Sequence, residues 1–369
     1  MENIREERQV QFAEIWLKSQ YGTLYLCPRF GKIKTSIECL KRMSSTNILI
    51  IYPIETIKKS WEDDFIKWGY SPDKVTYCST ASLWKLAEKP EVYDLVIMDE
   101  VQMFSPANLQ EMQTLVRAGN RTVLGLSGTI SSSTQEELKA VLNLPILAQY
   151  PIEVGIKERV ITDYEITVVL TTLDNTDKYI QPAKTKKYFI TEKARYDWLT
   201  DKIVAIQENL GNLGLLPIQR MHVLKKSRAK LRVTKQLIEK FKGERLLIFC
   251  GVTEIADSLG VPTYHSKNKN KELKDKFCGG EGDCLATVDM FEAGVTVKPI
   301  NKAILNSFDS NPENLAQRVS RLTGFEYDNP NKVASMYIVC TDTVELKWLR
   351  KAFEFFDPLK IKYCTIEQI

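Results

Sequence analysis

Histidine is nearly absent from this chain, with only 2 in 369 residues. Its eight cysteines, at 27, 39, 78, 250, 278, 284, 340 and 364, include no C-x-x-C pair. These two shortages argue against a structural zinc site, which needs four such ligands at close spacing. Several cysteines fall inside apolar runs (LYLCP, LLIFCG, MYIVCT), the pattern of buried free thiols in a reducing cytoplasm. Long apolar runs are also missing. TNILIIYP and YDLVIM are strand-sized and too short to span a bilayer. The first residues, MENIREERQVQF, are polar and charged, unlike a secretory leader. Charge is not extreme either: 51 basic against 47 acidic residues leave +4. That is compatible with a nucleic-acid partner without requiring one. The basic residues cluster, however, in KSRAKLRVTK (226–235) and AKTKK (183–187).

What is present is an alternation. At 44% hydrophobic and 27% charged, the composition is that of an ordinary globular protein, long enough for two or three domains. Strand-like runs (TLYLC, NILIIYP, KVTYCS, YDLVIMD, RTVLGLSG) are separated by helix-like stretches (IKTSIECLKRM, IKKSWEDDFIKWG, ASLWKLAEK, ANLQEMQTLVRAG). Alternating β and α predicts a parallel sheet covered by helices on both faces. Ligands bind such sheets at the carboxyl ends of the strands. The alternation returns after residue 243 with RLLIFCG, VPTYHS, CLATVD, KAILNS and ASMYIVCT. The expected fold class is therefore α/β, with two parallel-sheet domains in tandem, 1–155 and 156–369. The second contains an insert at about 173–240: a hairpin with a basic tip, then two helices broken near GLLP. The basic residues Lys225, Lys226, Arg228, Lys230, Arg232 and Lys235 are expected on the second of these helices. Lys225, Arg228 and Arg232 would share one face.

Two motifs carry chemistry. CPRFGKIKTS (27–36) sits where a strand turns into a helix, as a phosphate-binding loop does, but does not spell G-x-x-x-x-G-K-[ST]. Two registers are open. Gly31-Lys32 keeps glycine where backbone must approach phosphate and is preferred. Lys34-Thr35 would put Ile33 where glycine is needed. The preferred register leaves Ile33 where a magnesium-binding hydroxyl normally stands. The second motif is YDLVIMDEVQ, an apolar strand that delivers Asp99 and Glu100 together. A helix cap would explain the pair. With a phosphate loop upstream, Asp99 is instead placed to hold Mg²⁺, and Glu100 to orient or deprotonate water.

These residues resemble motif II (D-E-x-[HQ]) of the superfamily 2 helicases and translocases, the DEAD/DEAH-type ATPases. Other stretches follow in that family's order. LIIYPIETIKKSWEDDFIKWG resembles motif Ia of Swi/Snf-type and XPB-like members through Pro53, Trp61 and Trp68. LSGT resembles motif III, with Ser127 and Thr129 as coupling residues. ERQVQFAEIWL resembles the glutamine motif that reads adenine, with Gln9 better spaced than Gln11. LLIFCG resembles motif IV. MFEAGVTVKPINKAIL resembles motif V through Glu292, Gly294 and Thr296. NLAQRVSRLTG resembles motif VI through Gln317, Arg318 and Arg321. Ser320 stands in place of the motif VI glycine, and Gly324 in place of its last arginine. A weaker match, YPIEVGIKERVITDYEI, is similar to a segment of XPB-like and phage branch-migration helicases.

The resemblance implies two RecA-like domains, with ATP and Mg²⁺ as cofactors. ATP contacts would come from Arg29, Gly31, Lys32, Ile33 and Lys34, with Gln9, Gln102 and Gly294. Asp99, Glu100, Gln317, Arg318 and Arg321 would be catalytic. Nucleic acid would meet Thr56, Lys58, Lys59, Ser79, Thr80, Thr253 and Thr296, with Lys225 and Arg228 as further candidates. The implied protein is a monomeric, cytoplasmic DNA helicase or translocase, of phage type by its compactness. The alternatives are an RNA helicase of the same superfamily and a nucleic-acid clamp that has lost hydrolysis.

Overall fold

The computed structural model describes residues 2–43, 47–182, 188–288, 297–298, 300–326 and 328–369. The AKTKK tip (183–187) and the motif V residues Glu292, Gly294 and Thr296 lie outside them. No described helix is long and apolar enough to cross a membrane. The chain packs as two compact units.

The first unit is built on six strands: β1 (Tyr21–Leu26), β2 (Ile48–Tyr52), β3 (Val75–Ser79), β4 (Leu95–Asp99), β5 (Val123–Ser127) and β6 (Ile146–Tyr150). Their order is β3-β2-β4-β5-β1-β6, and every pair is parallel. Every residue of β2, β4 and β5 is buried, which is why these strands read as unbroken apolar runs. The edge strand β6 is mostly half-buried and gives no such signal. Three helices matter for the site: α1 (Glu2–Ser19), α2 (Lys32–Arg42) and α3 (Glu55–Lys67). The fully buried Trp16 anchors α1 by donating to the Val123 carbonyl at 3.1 Å.

The second unit carries β7 (Asp163–Thr171), β8 (Leu246–Cys250), β9 (Thr263–Tyr264), β10 (Cys284–Val288), β11 (Lys302–Leu305), β12 (Val333–Thr341) and β13 (Ile361–Cys364). Their order is β13-β7-β12-β11-β8-β10-β9. The pairs β9–β10, β10–β8, β8–β11, β11–β12 and β7–β13 are parallel. Its core joins Ile248, Ile304 and Val339 of the sheet to Val233 and Leu237 of the helix Arg228–Lys240.

Three details differ from the sequence reading. First, the segment Pro312–Lys332, which carries motif VI, packs with the first unit, whose main body runs to Asp163 rather than 155. Backbone pairing explains this: the Thr162 N–H donates to the Thr323 carbonyl at 3.0 Å, and Ile161 bridges Gly324. Second, the expected basic helix is two helices, Leu216–Lys225 and Arg228–Lys240, broken where Ser227 caps the latter. Lys225 therefore does not share a helical face with Arg228 and Arg232. Third, the helix Arg228–Lys240 belongs to the core of the second sheet, so the insert ends before it. The insert has its own small core of Leu173, Tyr196, Leu199, Val223 and Leu224. Ile180 and Ile190, on either side of the tip, form an antiparallel bridge.

Candidate functional site: a cavity in the first unit

After β1 the chain turns through Pro28 and Arg29 to Gly31, the N-cap of α2. Gly31 has φ 101°, a left-handed conformation, and a Cβ there would meet Gln9 Nε2 at 2.5 Å. Only glycine fits. No side chain caps α2, and its first turn holds no acidic residue. The N–H groups of that turn lack intrahelical acceptors and form the positive end of the helix dipole, a ready anion site. Gln9 is buried and donates from Nε2 to the Phe30 carbonyl at 2.9 Å. The alternative, Gln11, accepts from Arg8 at 2.8 Å on an exposed surface.

β4 brings the two carboxylates in. Asp99 is 3% exposed. Its Oδ1 accepts from the Glu100 N–H at 2.9 Å, and its Oδ2 from the Trp61 indole at 2.7 Å. Burial, then the neighbouring Glu100, pushes the Asp99 carboxyl up to about 6. Glu100 is held at φ 51°, ψ 55°, an uncommon conformation for a non-glycine residue. It aims its carboxylate at Lys32, whose Nζ is 2.5 Å from Oε1. Gln102 Nε2 donates to Oε2 at 2.5 Å. Burial opposes ionisation of Glu100. The Lys32 charge and the bonds from Lys32, Gln102 and the Gly128 backbone outweigh it, so this carboxyl lies below its ordinary range. The Ser127 hydroxyl contacts Gln102 Oε1 and the Thr129 carbonyl, and accepts from the Thr129 N–H at 3.1 Å.

Arg29, Gly31, Lys32, Ile33, Asp99, Glu100, Thr129, Gln317 and Arg321 line one cavity of about 370 Å³. The helix Pro312–Ser320 is fixed there by Glu313, which accepts from the Ser131 N–H at 3.3 Å and the Thr134 hydroxyl at 3.1 Å. Arg29 Nε donates to the Ser320 carbonyl at 3.1 Å, while its buried Nη2 has no partner among the described residues. The buried Thr129 hydroxyl also has none among the described residues. Two orphaned donors, a free helix start, a lysine and a hard-oxygen carboxylate fit a magnesium-bound polyphosphate.

Several expected contacts are not brought to the cavity. Lys34 stacks over Trp68 at 3.7 Å and pairs with Glu38 at 3.2 Å. Arg318 and Gln102 are not among the lining residues, and Gln102 donates to Glu100, which is. Thr35 does not replace the hydroxyl missing at Ile33, because α2 starts regularly and Thr35 Oγ1 donates to the Gly31 carbonyl at 3.2 Å. Sequence reasoning missed one face of α3: Ile57, Ser60, Asp64 and Lys67 also line the cavity. Their helical spacing was the available signal. Burial raises the Asp64 carboxyl above its ordinary value.

The expected nucleic-acid contacts fall at strand ends. Thr56 and Lys58 lie in the first turns of α3, after β2. Ser79 ends β3 and Thr80 follows it, and β2 and β3 are paired with Tyr52 opposite Ser79. In the second unit Thr253 starts a helix just past β8. Nearby, a Cβ on Gly251 would meet Ser307 Oγ at 2.4 Å and Lys225 Cγ at 3.2 Å. Three of the other basic residues are engaged. Arg228 stacks on Tyr179 at 3.8 Å, Arg232 pairs with Asp174 at 2.6 Å, and Lys230 is buried against Glu345 at 2.6 Å.

The Helicase conserved C-terminal domain family matches residues 229–323. The DNA 3'-5' translocase XPB2 of Sulfurisphaera tokodaii is 22% identical over 342 residues, which is 85% of this chain and 77% of that protein. Two solved structures share the fold. S. cerevisiae Dbp5 bound to RNA and ADP BeF3 has a TM-score of 0.59 at 10% identity, covering 94% of this chain and 86% of that one. A fragment described as an HsdR subunit of a type I restriction enzyme from Vibrio vulnificus has a TM-score of 0.62 at 14% identity, covering 94% and 65%. The chain is similar to superfamily 2 helicases and translocases, and its fold is that of tandem RecA-like α/β domains.

Proposed function

We propose that this protein is an ATP-driven translocase or helicase acting on DNA. The observation that carries the proposal is the convergence of Lys32, Asp99, Glu100, Gln317 and Arg321 on one cavity beside an uncapped helix start. In this reading the α2 N-terminus and Lys32 cradle the phosphates. Asp99 holds Mg²⁺, which when bound neutralises charge on the phosphates. Glu100, ionised at neutral pH and oriented by Gln102, accepts the proton of the attacking water. Arg321 and Gln317 face the charge that develops on the transferred phosphoryl group. Ser127 and Thr129 connect this set to the rest of the unit. Thr56, Lys58, Ser79, Thr80, Thr253 and Lys225 contact the phosphate backbone of the strand, which sets affinity without reading sequence. Hydrolysis drives the conformational steps that become movement.

DNA is favoured over RNA by the DNA translocase relative and by the tryptophans of motif Ia. The test is steady-state ATP hydrolysis with no polymer, single-stranded, duplex or branched DNA, or RNA, alongside Glu100→Gln. Stimulation by DNA that the variant abolishes is expected. DNA binding without stimulated hydrolysis would leave the hydrolysis-impaired clamp as the better reading.

A further inference from the structure

Trp61 is buried on α3, outside the phosphate loop and outside the carboxylate pair, yet its indole N–H reaches Asp99 Oδ2 at 2.7 Å. The ring has little freedom. It packs against Phe65 with centroids 5.5 Å apart, and Phe65 packs against Tyr70 at 5.2 Å. Asp99 is thus gripped from two directions, by the indole on one oxygen and the Glu100 N–H on the other. A buried carboxylate that accepts two N–H bonds is fixed in rotation. A hard divalent cation needs its ligand oxygens held in this way. The need is greater here because Ile33 supplies no hydroxyl, and the nearby hydroxyls of Thr35 and Ser36 are turned back onto the Gly31 and Lys32 carbonyls.

We infer that Trp61 is a positioning residue for the metal-holding carboxylate: its indole N–H sets the orientation of Asp99 and thereby the affinity for the nucleotide-bound cation. This rests on the reading of Asp99 as the magnesium residue. Trp61 itself touches neither metal nor nucleotide.

The experiment compares the full chain with Trp61→Phe, which keeps an aromatic ring and removes the donor. Mn²⁺ serves as the probe, its binding in the presence of ADP read by electron paramagnetic resonance. ADP affinity in EDTA is measured separately. The expected result is roughly tenfold weaker Mn²⁺ binding in the variant, the scale of one hydrogen bond to a charged group, with metal-free ADP affinity unchanged within about twofold. In protein labelled with ¹⁵N-tryptophan, the indole cross-peak missing from the variant identifies Trp61. That peak should shift when Mg²⁺ is added to the ADP complex. Equal Mn²⁺ affinities, or a Trp61 peak that Mg²⁺ leaves in place, would overturn the inference. An equal loss of metal-free ADP binding would reduce Trp61 to a packing role and overturn it too. If the unaltered protein binds ADP but takes up no Mn²⁺ with it, the reading of Asp99 fails first, and the inference falls with it.

Discussion

Lys32 Nζ and Glu100 Oε1 are 2.5 Å apart, with side-chain exposures of only 14% and 16%. The residue read as gripping phosphate is therefore paired with the residue read as activating water. Each is the other's counter-ion in a site that water reaches poorly, and this sets what their removal does.

Glu100→Gln keeps the shape and the hydrogen-bonding capacity but loses the base. Hydrolysis should fall by about 10²–10⁴-fold, the usual range for a lost general base. Nucleotide affinity should hold or rise, since Lys32 is released from a charged partner. Lys32→Ala should weaken nucleotide binding at least about tenfold and leave Glu100 without its main counter-charge. Titration with a fluorescent ATP analogue and phosphate-release kinetics separate the two effects. If Glu100→Gln hydrolyses ATP at the parental rate, the assignment of the base is wrong.

Ile33 lines the cavity as the second residue of α2. Ile33→Ser places a hydroxyl there. The expected outcome is a several-fold lower Mg²⁺ concentration for half-maximal hydrolysis, read from rates over a magnesium series. An unchanged or higher requirement would mean that the cation does not approach this position.

The legibility of the chain follows burial. β2, β4 and β5 are buried throughout and announced themselves as apolar runs, whereas the edge strands β6 and β13 lie half in water and passed unnoticed. That Lys32, Asp99 and Glu100 share one cavity was legible because each lies at or just past the end of a strand, where parallel sheets bind ligands. The Trp61–Asp99 bond was not, because nothing in the spelling of motif Ia says which way the indole points. The break at Ser227 was missed because a serine between two helical patterns reads as an ordinary surface residue until its hydroxyl is seen accepting the Lys230 N–H at 3.2 Å. Lys230 itself read as one more basic residue of that helix, because no sequence pattern distinguishes a solvated lysine from one paired in the core.

That buried pair gives a stability prediction. Lys230 Nζ donates to Glu345 Oε1 at 2.6 Å, with exposures of 0% and 2%. Glu345 Oε2 accepts from the Thr341 N–H at 2.9 Å and hydroxyl at 2.7 Å. Removing one partner leaves an uncompensated charge. Lys230→Met alone should therefore destabilise by about 3–5 kcal/mol. The double variant Lys230→Met, Glu345→Gln should recover much of that loss. Urea unfolding of the three proteins measures it, and additive losses in the double variant would mean that the pair is not coupled.

Asp174 supplies a pH dependence. The Thr176 N–H, the Thr176 hydroxyl, the Asp177 N–H and Arg232 all donate to it, and they hold its carboxyl well below its free value of 3.8. A carboxylate whose folded value is depressed adds stability in full above the free value, and loses it as pH falls toward the folded one. The stability difference between the parent and Asp174→Asn should therefore be constant from pH 7 to about 5 and shrink below about 4. A difference that grows on acidification would contradict the assignment.

Lys225 and Arg232 looked equivalent in sequence, yet the structure separates them. Lys225 lies beside Gly251 in the second unit, near Thr253, whereas Arg232 is tied to Asp174 at 2.6 Å and Asp177 at 3.7 Å. Only a side chain that neutralises a phosphate releases a counter-ion when the strand binds. Lys225→Ala should thus weaken binding to a single strand without regard to base sequence. It should also reduce the slope of log affinity against log salt by about 0.7, the value for one phosphate contact on a single strand. Arg232→Ala should leave that slope unchanged and lower thermal stability instead, by releasing Asp174. Fluorescence anisotropy of a labelled oligonucleotide at four salt concentrations, with a melting curve for each variant, tests both halves. A slope change in Arg232→Ala, or none in Lys225→Ala, would move the strand's path away from the end of β8.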